Sequence, residues 1–189
     1  MKKLVLFGDS LFARIGKELI NKLENKLPGY DIYNCAAGGW NTDDAVKKSP
    51  FIASLKADIV VISLGLNDAA PWKQVPLPNF EKNMNKILHN FKNSRIIFFL
   101  PPPVNVSKEL GDTKRLNEIG VDYYEIAKKI CSKNKVEIID SWKLFTRLLE
   151  KGKDYHIEDG VHINDFGYDI FIDQLAKTVL KSSDFFVKA

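Results

Sequence analysis

The stretch LVLFGDSLFARIGKELINKL, residues 4–23, joins two hydrophobic patterns through a short polar segment. Its first four residues are all apolar, as in a short buried strand, and apolar residues then recur at every fourth position, as along one face of a helix. The predicted helix face consists of Leu11, Ile15, Leu19 and Leu23. The stretch therefore predicts a strand and a helix that are joined by Gly8, Asp9 and Ser10.

The same alternation of short apolar runs and amphipathic stretches continues along the chain. Further strands are predicted at 31–35, 58–64, 95–100 and 136–140, and helices from Thr42, over 79–91 and 112–133, and from Asn164. Repeated strand–helix units predict an α/β fold with a single domain over residues 1–189. We expect a three-layer, doubly wound sandwich around a central, mostly parallel five-stranded sheet.

Composition excludes several classes of function. The chain has 28 basic and 24 acidic residues, and its lysines are dispersed, so no nucleic-acid-binding surface is expected. Cys35 and Cys131 lack the spacing of a metal site and do not make a disulfide framework. No apolar run reaches the length of a membrane span or of a signal-peptide core. We therefore expect a cytoplasmic protein without a zinc site, which is monomeric or homo-oligomeric.

Polar or glycine-rich segments follow four of the predicted strands. They are GDS at 8–10, AAGGWN at 36–41, GLND at 65–68 and PPP at 101–103. Ligands bind parallel sheets beyond the carboxyl ends of the strands. We therefore expect these four segments to line one edge of the sheet, where a ligand would bind.

Ser10 lies between the first predicted strand and the first predicted helix. A serine at such a position commonly caps the helix through its hydroxyl group. The same hydroxyl becomes a nucleophile at neutral pH when a base lies within reach of it. The local sequence leaves both interpretations open.

His162 is the histidine best placed to act as that base. It lies in DGVHIND, three residues after Asp159, so the carboxylate can reach Nδ1–H and leave Nε2 free to accept a proton. The alternative is a loop histidine beside a helix-capping acid. His89 is predicted to lie on a solvated helix face, and His156 is in a polar loop without an evident partner.

Acyl transfer also requires hydrogen-bond donors for an oxyanion. Gly38 and Gly39 follow the second predicted strand, where a backbone N–H can approach a ligand closely, and Asn67 follows the third with a neutral amide donor. The alternative for these residues is ordinary turn chemistry. Trp40 and Trp72, with Phe12, are candidates either for an apolar pocket wall or for internal packing.

The segments FGDS, GGWNT, GLND and DGVH resemble, in this order, the four sequence blocks of the SGNH hydrolases, also called GDSL esterases and lipases. The resemblance implies the flavodoxin-like fold of that family. It implies that Ser10 is the nucleophile, His162 the base and Asp159 the acid that orients it. It also implies an oxyanion hole formed by the N–H groups of Ser10 and Gly39 and the side chain of Asn67.

The resemblance implies a serine esterase or acylhydrolase that cleaves the carboxylic ester of a small molecule and needs no metal or cofactor. If the aromatic residues line the site, the expected substrate has a short acyl chain or is an acetylated carbohydrate. An acyltransferase that uses the same nucleophile and a non-catalytic binding module are the alternatives. A phosphate or flavin binder would require a phosphate-binding loop, and GDSLFAR has one glycine. Phe12 and Arg14 depart from the small residues usual after the GDS serine, so we expect them to crowd or charge the pocket mouth.

Overall fold

The structure of the protein, a computed structural model, describes residues 1–108 and 117–181. Its strands are β1 (Lys2–Gly8), β2 (Tyr30–Asn34), β3 (Ile59–Ser63), β4 (Arg95–Phe99) and β5 (Glu137–Ile139). They form one five-stranded sheet in the order β2-β1-β3-β4-β5, and every neighbouring pair is parallel. The predicted α/β fold is confirmed, with a sheet that is parallel throughout.

Helices cover both faces of the sheet. They are α1 (Ser10–Ala13), α2 (Lys17–Lys26), α3 (Thr42–Ala53), α4 (Leu77–Asn90), α5 (Asn117–Lys133), α6 (Ser141–Glu150) and α7 (Asp165–Lys181). Buried residues of α1, α2, α6 and α7 pack on one face, and those of α3, α4 and α5 pack on the other. This arrangement is the three-layer sandwich that the strand–helix alternation predicts.

The interior strand β1, which lies between β2 and β3, is buried on both faces because its side chains alternate between the two layers. Leu4 and Leu6 belong to one hydrophobic cluster, and Val5 and Phe7 belong to the other. All four are fully buried. A strand covered on both sides requires a continuous apolar run, which explains why it is recognisable in the sequence.

The helix predicted across residues 11–23 is divided into α1 and α2. The side chain of Asn34, at the end of β2, donates hydrogen bonds to the carbonyl oxygens of Phe12 (2.7 Å) and Ile15 (3.0 Å). These bonds satisfy carbonyl groups at the end of α1, and Gly16 then begins α2 in an extended conformation. The break depends on a residue from a different strand, so the local pattern did not reveal it.

Helix α6 was not predicted from the sequence. Asp140 caps it by accepting a hydrogen bond from the N–H of Lys143 (3.1 Å), and Phe145 is its fully buried anchor. An acidic cap before an amphipathic stretch is a recognisable signal for a helix start. The predicted start of the preceding helix, at Asp112, lies outside the described residues, and α5 is described from Asn117.

The ends of β1 and β3 approach each other closely just before the predicted site. A Cβ atom on Gly8 would lie 2.1 Å from the carbonyl oxygen of Ser63, so only glycine fits here. The next residue continues the contact, because the N–H of Asp9 donates to the same oxygen at 3.1 Å. This packing fixes where the chain leaves the sheet and therefore where Ser10 lies.

In the two described ranges, no helix has both the length and the apolar character needed to cross a membrane. A single domain over residues 1–189, a cytoplasmic location and a homo-oligomer stay predictions.

Candidate active site

Ser10 is the first residue of α1, and its hydroxyl does not cap that helix. The cap is Asp9, whose Oδ1 accepts a hydrogen bond from the N–H of Leu11 at 3.0 Å. The Ser10 hydroxyl instead lies 2.8 Å from Nε2 of His162. The alternative that Ser10 is merely a helix cap is therefore wrong, and its hydroxyl lies within hydrogen-bonding distance of an imidazole nitrogen.

Asp159 holds the other side of the His162 ring. Its Oδ2 lies 2.5 Å from Nδ1 of His162, while its Oδ1 accepts the N–H groups of Val161 and His162, both at 2.9 Å. Partial burial disfavours the charged carboxylate, but these hydrogen bonds outweigh that effect and lower the pKa of Asp159 to about 2. An ionised Asp159 requires a proton on Nδ1, which leaves Nε2 able to accept the proton of Ser10.

The segment that carries Asp159 and His162 is fastened to the loop after β4. The N–H of Ile157 donates to the carbonyl of His162 (3.0 Å), which closes the segment on itself. The N–H of Asn105 donates to the carbonyl of Gly160 (2.7 Å), which joins the segment to the loop after β4. These backbone bonds position the imidazole independently of its own side-chain contacts.

Ser10, Gly39, Asn67 and His162 line one open cavity of about 440 Å³, together with Arg14, Trp72 and Lys73. Three of the predicted sheet-edge segments therefore meet at this cavity. PPP at 101–103 does not line it; these prolines are buried, and the carbonyl oxygen of Pro103 lies 3.1 Å from Nε2 of His156. The structure thus brings the predicted nucleophile, base and oxyanion donors to one place.

Three hydrogen bonds clamp the loop after β2 to the loop after β3. Asn67 Nδ2 donates to the carbonyl of Trp40 (2.9 Å), and Asn41 Nδ2 donates to the carbonyl of Lys73 (3.2 Å). The ammonium group of Lys73 donates to the carbonyl of Gly39. Gly39 has a φ of +79°, a conformation that favours glycine, so the clamp holds a backbone turn that most side chains would oppose.

The candidate aromatic wall is only partly formed. Trp72 is 47% exposed and lines the cavity, as does Arg14. Phe12 is buried in the core against Phe99 and Phe171, with ring centroids 5.9 Å and 5.2 Å away. Trp40 packs edge-on against Phe7. The interpretation of Phe12 as a residue of the pocket mouth is therefore wrong, because it anchors α1 to the core instead.

His156 has partners that the sequence did not reveal. It is buried, with Nδ1 2.9 Å from Asp154 Oδ1 and Nε2 3.1 Å from the carbonyl oxygen of Pro103. Both of its ring nitrogens face oxygen atoms of the fold, and neither faces a hydroxyl group. This second histidine–aspartate pair thus supports the loop that carries His162, whereas His162 alone of the two meets a serine.

Asp68 fastens the start of α3 to the loop after β3. Its Oδ1 accepts hydrogen bonds from the N–H (2.9 Å) and hydroxyl (2.5 Å) of Thr42, while no group of the described chain bonds to Oδ2. Burial raises the pKa of Asp68 to about 6 despite the bonds from Thr42, and the charge of Asp43 acts in the same direction as burial.

Asp68→Asn is expected to change the pH dependence of stability. The ordinary pKa of an aspartate is 3.8, and that of Asp68 in the folded protein is about 6. At pH values between these two, the folded wild-type protein binds more protons at Asp68 than the unfolded protein does. Its free energy of unfolding therefore falls as pH rises through this window. Asparagine carries no such proton, so the variant should gain about 1–3 kcal/mol on wild type between pH 4 and pH 7. Urea unfolding of both proteins measures this; an equal difference at both pH values would contradict it.

The model of the GDSL-like Lipase/Acylhydrolase family matches residues 6–170 of the chain. The chain is 28% identical to the isoamyl acetate-hydrolyzing esterase of Saccharomyces cerevisiae, over 94% of this chain and 86% of the yeast protein. Its fold is similar to that of the lipase/acylhydrolase from Enterococcus faecalis, with a TM-score of 0.86, 22% identity and 95% of each chain covered. The acetyl xylan esterase AlAXEase is similar in fold with a TM-score of 0.81, 22% identity, and 94% of this chain and 99% of that one covered.

Proposed function

The chain belongs to the GDSL-like lipase/acylhydrolase family, and from this premise we propose that it hydrolyses carboxylic esters through an acyl-enzyme on Ser10. The observation that carries the proposal is the distance of 2.8 Å between the Ser10 hydroxyl and His162 Nε2. An ionised Asp159 on the far side of the ring favours the tautomer that this reaction requires.

In the first step, Ser10 Oγ attacks the ester carbonyl carbon while its proton passes to His162 Nε2. The carbonyl π electrons move to oxygen and form a tetrahedral oxyanion. When this intermediate collapses, the bond to the alcohol oxygen breaks and His162 donates its proton to the leaving alcohol. Water then attacks the acyl-enzyme, with His162 taking its proton and returning it to Ser10 Oγ as the acid leaves.

The oxyanion is stabilised by the N–H groups of Ser10 and Gly39 and by the side chain of Asn67. The N–H of Ser10 is at the start of α1, where a helix has no internal acceptor for it. Asn67 lines the cavity, and its Nδ2 donates a hydrogen bond to the carbonyl of Trp40, which fixes the orientation of the amide there.

Asn67→Ala is expected to lower kcat by about 100- to 1,000-fold and to change KM little, because the amide contributes mainly when charge develops on the carbonyl oxygen. Steady-state kinetics with a 4-nitrophenyl ester measures both constants. Asn85→Ala is the matched control, since that amide does not line the cavity of Ser10: it donates to the carbonyl of Glu81 and accepts from Asn134. A kcat within tenfold of wild type would remove Asn67 from the oxyanion hole.

The proposed substrate carries a short acyl group such as acetate. The open cavity of about 440 Å³ accommodates a small acyl group, and the exposed Trp72 offers an apolar face for the alcohol portion, which includes acetylated sugars. A yeast relative named for isoamyl acetate hydrolysis favours the same acyl length.

A series of 4-nitrophenyl esters from acetate to palmitate, run beside an acetylated xylo-oligosaccharide, tests this substrate class. We expect kcat/KM to fall as the acyl chain lengthens, and a maximum at palmitate would contradict the proposal. Added alcohols separate hydrolysis from acyl transfer, since a transferase would form a new ester in preference to free acid. Binding without turnover of any ester would favour a non-catalytic module.

A further inference from the structure

We propose that the natural ester carries a negatively charged group, a carboxylate or a phosphate, which Arg14 and Lys73 bind at the mouth of the cavity. This inference rests on the proposed function, because it concerns the substrate of the same site. The observation that carries it is the presence of two cationic side chains in the cavity of Ser10, which come from separate segments of the chain and form no ion pair with an acid of residues 1–108 or 117–181.

The cavity has an uneven charge. Apart from His162, the ionisable side chains that line it are Arg14 and Lys73, and both are positive. Asp159 does not line the cavity, because its carboxylate is engaged behind the imidazole and by backbone N–H groups. A cavity lined by one sign of charge raises the local concentration of a substrate with the opposite charge.

Arg14 is held next to the nucleophile by the backbone. It follows Ser10 by one helical turn, and its N–H donates to the carbonyl of Ser10 at 3.1 Å. Its side chain is exposed and also borders an adjoining cavity that contains Asp165. Among residues 1–108 and 117–181, however, neither Asp165 nor any other acid forms an ion pair with Arg14.

Lys73 approaches the cavity from the loop after β3. It is half-buried, and its ammonium group bonds to a neutral acceptor, the carbonyl of Gly39. Since an ammonium has three N–H donors, two are left for a ligand. Other lysines, such as Lys22 and Lys26, are paired with acids on α7, whereas Lys73 has no acid partner in the described part of the chain.

Coverage of apolar surface by its aliphatic stem does not explain the position of Lys73. A lysine that only covered apolar surface would extend its ammonium into water, whereas this one is directed to the backbone beside the proposed oxyanion hole. A substrate anion there would make charge-assisted hydrogen bonds, which are stronger than neutral ones. The two cations therefore fit an ester with a charged group at some distance from the reacting carbonyl.

Two matched substrate pairs test the proposal and distinguish where the charge lies. In the first, the alcohol portion is charged: 4-acetoxybenzoate and 4-acetoxyphenyl phosphate are compared with neutral 4-acetoxybenzamide. In the second, the acyl portion is charged: mono-4-nitrophenyl adipate is compared with 4-nitrophenyl hexanoate. We expect kcat/KM for an anionic member of at least one pair to exceed that of its neutral partner by about 5- to 30-fold.

Arg14→Gln should reduce that ratio to about two or less, and so should raised salt, because both weaken the attraction of the anion. Lys73→Gln should reduce the ratio too, and it should also slow the neutral ester, because the Gly39 carbonyl loses its ammonium partner. Lys82→Gln removes an equal charge from the exposed surface of α4 and should leave the ratio unchanged.

The outcomes separate the two proposals. If no ester is hydrolysed in a manner that depends on Ser10, the proposed function itself is wrong. If neutral esters are hydrolysed but no anionic ester is preferred, the function stands and this inference is overturned. A preference that persists in both Arg14→Gln and Lys73→Gln would also overturn it, since the charge would then be recognised elsewhere.

Discussion

Ser10→Ala is expected to abolish ester hydrolysis, with kcat lowered by about a millionfold, as in serine hydrolases that lose the nucleophile of a comparable triad. The Ser10 oxygen is the atom that would bond to the acyl group, and none of the other described residues that line the cavity carries a hydroxyl or thiol that could replace it. The same variant should unfold at the wild-type urea concentration, because Asp9 and not Ser10 caps α1. Hydrolysis of 4-nitrophenyl acetate and urea unfolding measure the two expectations.

Covalent labelling gives the Ser10 prediction an independent test. A fluorophosphonate probe should add to wild-type protein at Ser10, located by mass spectrometry of peptides, and should not add to Ser10→Ala. Ser54→Ala is a suitable control, because that hydroxyl bonds to the Phe51 carbonyl at the end of α3. Labelling of a different serine, or hydrolysis that survives in Ser10→Ala, would show that the nucleophile lies elsewhere.

Asp159→Asn is expected to lower kcat by about 10,000-fold while leaving the fold intact. Oδ1 accepts two backbone N–H groups, so the asparagine oxygen should keep that position and its NH₂ group should face His162. The imidazole would then accept at Nδ1 and carry its proton on Nε2. A protonated Nε2 cannot accept the proton of Ser10, so the base is lost although every heavy atom stays in place.

Circular dichroism and fluorophosphonate labelling of Asp159→Asn together distinguish the loss of the base from the loss of the fold. The far- and near-ultraviolet circular dichroism of Asp159→Asn should match wild type, and fluorophosphonate labelling should become slower in proportion to kcat. Asp154→Asn is a useful contrast, since Asp154 faces His156 and not the histidine that meets Ser10. A rate for Asp159→Asn within tenfold of wild type would mean that Asp159 does not determine the tautomer of His162.

Particular elements show where sequence patterns succeed. The strand at 58–64 was recognisable because it is buried on both faces and therefore almost wholly apolar, and β3 occupies Ile59–Ser63. The start of α3 was predicted at Thr42, and the helix does begin there. Its cap is the preceding residue, Asn41, whose side chain accepts a hydrogen bond from the N–H of Asp44. Thr42 instead bonds to Asp68, a partner on another loop. Local preference located the helix, and a distant contact decided what each residue does there.

In the candidate active site, too, local contacts were predictable from the sequence and distant contacts were not. Asp159 and His162 are three residues apart, so their contact follows from local geometry and was predicted. The partners of His156 were not predicted: Asp154 lies only two residues before it, whereas the Pro103 carbonyl lies 53 residues away and no local pattern reveals it. Arg14 was expected at the pocket mouth and lines the cavity, whereas Phe12, two residues earlier, turns into the core. The packing of α1 against α7, where Phe12 contacts Phe171, decides that the side chain of Arg14 and not that of Phe12 lines the cavity.

Hydrophobic periodicity is set by neighbouring residues, so the sequence alone predicted the order of the five strands and of the helices between them, except for α6 and the break between α1 and α2. It also determined which side chains would stand at the ends of the strands. The packing of the folded chain, in contrast, is what brings the Ser10 hydroxyl to within 2.8 Å of Nε2 of His162, 152 residues further along the sequence. A contact at that separation depends on how the layers pack around the parallel sheet, and no local pattern records the distance between them.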